Sequence, residues 1–203
     1  MTLPDKLLLS LRLRGHHSVR PPEVVAVFHR WIAERALEEV LIDVADYSHV
    51  PGGPGVVLIG NQHNYSVAER GQELDLTCLR KRTNSGENPL LKTLCQLLEA
   101  CRLLREAFRD RALEPSIEAI QVSVFDRKAT EHHPFRTDEF AWLVAEHLAA
   151  ALGSRPQVSV ASSNARPTVQ AAWATPTAIG SLLERLRAHT APAAAMPLIT
   201  PTT

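Results

Sequence analysis

The sequence predicts an α+β fold: an antiparallel sheet with helices packed on one of its faces. Three observations carry that expectation. Short runs alternating between apolar and polar residues recur at 7–14, 74–79 and 120–124, the period of a half-buried strand. Longer stretches at 24–32 and 91–108 repeat their apolar residues at helical spacing. Clusters of Gly, Pro, Asn and Ser separate the two kinds of segment.

The elements follow in order. Leu7, Leu9, Leu11 and Leu13 alternate with Leu8, Ser10, Arg12 and Arg14, giving a first strand. Pro21-Pro22-Glu23 suits the first turn of a helix, where a missing N–H costs nothing and an acid meets the helix dipole. That helix carries the stripe Val24, Val27, Phe28, Trp31 and Ile32. Two β-rich runs follow, 40–50 and 55–66, joined by the loop Pro51-Gly-Gly-Pro54. Glu69-Arg70-Gly71-Gln72 reads as a hairpin turn into a third strand on Leu74, Leu76 and Cys78. Residues 89–109 form the strongest helical pattern, on Leu91, Leu94, Leu98 and Cys101. A strand on Ile120, Val122 and Val124 comes next, then a helix from Thr137 to Leu152 that Gly153 stops. Two short strands near 158–160 and 169–173 and a helix at 177–188 complete a C-terminal βα extension.

Through residue 126 this order matches a ferredoxin-like domain with one added strand, its helices on one sheet face and the other face free to bind or to dimerise. The whole of 1–190 is expected to be one domain. The Ala/Pro/Thr-biased segment 191–203 is expected to be a disordered tail.

Composition narrows the function. Lys plus Arg equals Asp plus Glu at 22 each, so the chain lacks the long-range field of a dedicated nucleic-acid binder. Zero net charge also favours self-association. Three cysteines without a C-x-x-C pattern imply free thiols and a reducing compartment. The N-terminus has no secretory signal pattern, and no apolar run approaches the ~20 residues of a membrane span. The expected location is the cytoplasm.

Side chains able to do chemistry crowd the 40–65 hairpin. With Val50 opposite Gly55, Asp46 would face Ile59, Ile42 would face His63 and Val40 would face Tyr65. Asp43, Tyr47, His49 and Gln62 then share one face, and Asp46, Asn61, His63 and Tyr65 share the other, with Val44 and Ile59. His49 and His63 meet only if a glycine bulge slips the second run by one residue. Gly53 and its neighbours form a tight turn whose amides could hold an anion.

Adjacent histidines at 16–17 and 132–133 point apart, so no metal site is assigned to them, and the cofactor is left unknown. The sequence carries no known nucleophile motif. Its leading reading is a self-associating binding or assembly module, holding a small polar or anionic ligand at the hairpin. Tyr47, Gly53, Asn61, Gln62 and Tyr65 are the expected contacts, with Arg80 and Arg82 from the next strand end. One alternative is an enzyme with His49 or His63 as general base, oriented by Asp43 or Asp46. The weakest is nucleic-acid binding through Arg12, Arg14, Arg80, Lys81 and Arg82.

Overall fold

Leu7, Leu9, Leu11 and Leu13 are all buried, as their alternation predicts, and strand β1 (Leu7–Arg14) lies at the centre of the sheet. The computed structural model describes residues 2–14, 19–70, 73–82, 86–111, 113–125, 136–162 and 167–190. The paired histidines, the Gly71-Gln72 turn and the 191–203 segment lie outside the described residues.

Helix α1 (Pro21–Glu34) follows β1, and Glu23 reaches back to accept the Arg20 N–H at 2.9 Å. Four strands come next: β2 (Leu41–Tyr47), β3 (Gly55–Gly60), β4 (His63–Arg70) and β5 (Glu73–Arg80). Helix α2 (Pro89–Ala107) opens with Asn88 capping the Leu90 and Leu91 amides. A 3-10 turn (Arg109–Arg111) leads to β6 (Glu114–Val124). Helix α3 (Thr137–Leu152) ends at Gly153 in the left-handed region, as its sequence predicts. Strands β7 (Gln157–Ser162) and β8 (Thr168–Ala172) and helix α4 (Ile179–Thr190) close the chain.

Among the described residues the eight strands make one antiparallel sheet, ordered β2-β3-β4-β5-β1-β6-β8-β7. One residue from each strand falls in a single cross-sheet row: Val44, Leu58, Tyr65, Cys78, Leu9, Val122, Val169 and Val160. Its six inner members are fully buried. Helix α1 covers β2 and β3, α2 covers β1, β4 and β5, and α3 covers β7 and β8, while α4 packs on α2 and α3. The helices thus share one face. Antiparallel sheets commonly leave the other face to water.

The sheet is more extended than the sequence leads one to expect. Four strands, not three, separate α1 from α2. The run 55–66 divides, because Ile59 pairs with Asn64 and the chain reverses through Asn61-Gln62. The Gly60-Asn61 pair is the local turn signal for this reversal.

The 47–55 connection also differs. Asp46 accepts the Ser48 N–H at 2.8 Å, and two successive backbone turns follow, Val50 N to Tyr47 O and Gly53 N to Val50 O. The loop therefore starts three residues earlier than expected, and Tyr47 stands opposite Gly55. A shift by an odd number exchanges faces. Asp43, Ala45 and Tyr47 lie with Val57 and Ile59 on the helix-free side, and Val44 lies with Leu58 among the helices. The irregularity in this pair falls between Leu41 and Asp43, not at a glycine. His49 and His63 are accordingly at opposite ends of the hairpin, not on opposite faces.

Candidate functional site

The tight Asn61-Gln62 reversal leaves amide N–H groups that need acceptors. Glu39, in the segment between α1 and β2, supplies them. Its Oε2 accepts from the backbone N–H of Gln62 at 2.7 Å and of His63 at 3.0 Å. Its Oε1 takes His63 Nδ1 at 2.9 Å and the Tyr65 hydroxyl at 2.6 Å. The hydroxyl also lies 2.9 Å from the Gln96 side-chain oxygen of α2. A phenol has one proton, and the shorter contact to a carboxylate takes it. Rotating the Gln96 amide then turns its NH₂ toward the tyrosine.

Gly60 makes this approach possible: a Cβ there would sit 2.5 Å from Glu39 Oε2. Burial pushes the Glu39 carboxyl up, but the hydrogen bonds from His63, Tyr65 and Gln62 outweigh it and hold the group below its ordinary range. Burial raises the Tyr65 hydroxyl and the Cys78 thiol beside it, and the Glu39 charge adds to both. This is a sealed, ionised knot that ties three chain segments together.

Two buried polar groups next to it have no hydrogen-bond partner. His63 is only 1% exposed and its Nε2 is unpaired; Arg80 stands opposite it on β5, also 1% exposed. None of the three guanidinium nitrogens is hydrogen-bonded, and the nearest charge is a Glu87 oxygen at 3.5 Å. A guanidinium so placed is a burden on stability. It is not an open anion site, because its nitrogens are closed off from solvent.

The other sequence-predicted residues scatter. Asp43 and Asp46 are exposed and bind the neighbouring amides of Val44 and Ser48. Hydrogen bonds from Ser48 lead the causes that hold Asp46 below its usual range. His49 is exposed in the loop. Asn61 and Gln62 serve through their backbones, to Val40, Glu39 and Lys81. Arg12 pairs with Glu73 and Asp75, the Lys81 ammonium donates to the Gly60 carbonyl, Arg80 is buried and Arg82 is exposed. These cations do not form one surface; the Arg14 side chain lies outside what is described.

Tyr47 and Gly53 do meet at a site. They border a hollow of about 500 Å³ on the helix-free face. Its floor is Val57, Ile59, Asn64, Ser66, Thr77 and Leu79, with Leu8 and Phe125 beyond. The 52–54 loop forms one wall, fastened by Arg70, whose guanidinium donates to the Gly53 carbonyl at 3.1 Å. The Ser66 and Thr77 hydroxyls bond each other at 2.6 Å, but the buried Asn64 side-chain oxygen has no partner. A largely apolar concavity of this size with a few polar groups is the usual form of a small-molecule site.

Compared with known families, curated proteins and solved structures, the chain matches none. The function therefore rests on the site itself. No group of three or more His, Cys, Asp and Glu is placed to hold a metal among the described residues, and no helix among them is long and apolar enough to cross a membrane.

Sequence reasoning flagged His63 and Tyr65 but not Glu39. The acidic residue acquires its role only once the Asn61-Gln62 turn is recognised. It likewise missed the floor of the hollow, because the shifted register moves Val57 and Ile59 to the other face.

Proposed function

We propose that the protein is a cytoplasmic ligand-binding module that holds a small, mainly apolar molecule in the hollow on the free face of its sheet. The observation that carries this reading is a concavity of about 500 Å³ whose floor is mainly apolar, on Val57, Ile59 and Leu79, with the hydroxyls of Ser66 and Thr77 among them. A ligand with an apolar body would cover that floor. The Gly53 amide is already spent on Val50, which argues against an anion held by the loop. The free thiols of Cys78, Cys95 and Cys101 fit a reducing compartment.

Nile red, a neutral dye that brightens in apolar surroundings, tests the reading. Its emission is expected to rise on titration with the native protein. Ile59→Trp fills the floor and is expected to weaken dye binding by at least about tenfold, the scale of losing a well-packed contact. Equal binding to both proteins would remove the hollow as the site.

Self-association through the β2 edge is the second part of the proposal. Val40 and Ile42 are 69% and 58% exposed at one end of this edge, and Tyr47 and Val50 are exposed at the other. An uncovered apolar edge strand favours contact with another chain. Light scattering is expected to show a dimer that becomes a monomer on Val40→Lys with Ile42→Lys. A wild-type monomer at every concentration ends this part of the reading.

The enzyme alternative finds some support, since Glu39 orients His63 as a carboxylate orients a catalytic base. The sealed ring weighs against it: a base must reach its substrate's proton.

A further inference from the structure

Building on the binding reading, we propose that the ligand is a neutral amphiphile, an apolar body joined to an uncharged hydroxyl- or amide-rich head. A second, polar hollow of about 180 Å³ lies beside the apolar one on the free face, over β1, β6 and β8, and Asp75 borders both. Strand register aligns its central groups: Thr77 faces Ser10, Ser10 faces Gln121 and Gln121 faces Gln170. Hydroxyls and amides therefore stand in a row about 4.8 Å apart, the spacing of neighbouring strands. Such groups both donate and accept, which suits a head of several hydroxyls.

Charge decides against an ionic head. Arg12 lies 3.2 Å from Glu73 and 3.5 Å from Asp75, and Arg70 lies 3.6 Å from Asp75. Glu118, at the rim of the polar hollow, is engaged as well. Arg12 and Arg70 are thus each held by a carboxylate rather than free for an anion, and Glu73, Asp75 and Glu118 are engaged rather than free for a cation. A neutral head disturbs none of these pairs.

Calorimetric titration of the full chain with four eight-carbon probes below their micelle thresholds tests this. Octan-1-ol reports on the apolar hollow alone. Octyl β-glucoside adds a neutral polyhydroxyl head, octanoate a negative one and octyltrimethylammonium a positive one. The glucoside is expected to bind at least about tenfold tighter than octanol, the worth of one or two hydrogen bonds. Gln121→Leu combined with Gln170→Leu is expected to abolish that gain while octanol binds as before, which also shows that the variant is folded. The inference is overturned if octanoate or the ammonium binds as tightly as the glucoside, or if the double variant keeps the gain. Failure of octanol to bind counts against the apolar hollow itself. Octanol binding without a glucoside advantage overturns the polar half only.

Discussion

Glu39→Ala will remove about 3–5 kcal/mol of folding stability, the cost of breaking a buried charge network by deleting one partner. The carboxylate accepts four hydrogen bonds, two from backbone amides at the β3–β4 turn and two from buried side chains. Truncation leaves all four donors without it in a region that water does not reach. Glu39→Gln keeps the shape but turns an NH₂ group toward donors, and should cost about 2 kcal/mol. The pH dependence follows from the depressed carboxyl. A group with a lowered folded-state pKa adds stability above its unfolded value, about 4.3 for Glu, and loses it as pH falls through the folded value. The gap between wild type and Glu39→Gln should therefore be full at neutral pH and shrink below about pH 4. Urea unfolding at pH 7 and at intervals down to pH 3 measures it. A gap that widens on acidification would mean that the carboxyl is protonated in the native protein.

Gly55→Ala should cost about 3 kcal/mol or more through two separate effects. The residue has φ of 73°, which disfavours an L side chain by roughly 1–2 kcal/mol. Its new methyl would also lie 2.1 Å from the Val67 carbonyl oxygen and 2.7 Å from the Ala68 Cα, both backbone atoms of β4. Relief requires β3 and β4 to separate, at about 1–3 kcal/mol for overpacking. Gly52→Ala is the control: its φ is 69°, but nothing lies within 4 Å of the added carbon. It should show the conformational part alone. Thermal or urea unfolding of the two variants distinguishes the effects, and equal losses would contradict the steric half.

Elements with strong local patterns were legible in the sequence. The four alternating leucines of β1, the apolar stripe of α2 from residue 89 and the Gly153 stop of α3 lie where local chemistry puts them. The hairpin failed at one detail with wide effects. An aspartate two residues before a serine captures an amide and ends β2 early, and the side chains of β3 change face, while the second turn at Asn61-Gln62 returns His63 and Tyr65 to the face expected. The division at Asn61-Gln62 was hidden because 55–66 looks continuously β-forming; only the Gly60-Asn61 pair marks the break. Glu39 was invisible for a different reason. Its partners are 23 to 26 residues away, and nothing near it in sequence announces them.

The place of β1 at the middle of the sheet governs the order in which the chain can assemble. β2 to β5 are joined in sequence and can zip as a meander soon after they are made. β1 is synthesised first, yet its neighbours are residues such as Leu79 and Ser123, both opposite Leu8. Until they emerge, its four core leucines have no strand to pair with. Such distant closures slow folding and lengthen the exposure of an adhesive segment. The strand at the middle of the finished sheet is therefore the one that a nascent chain must shelter for longest.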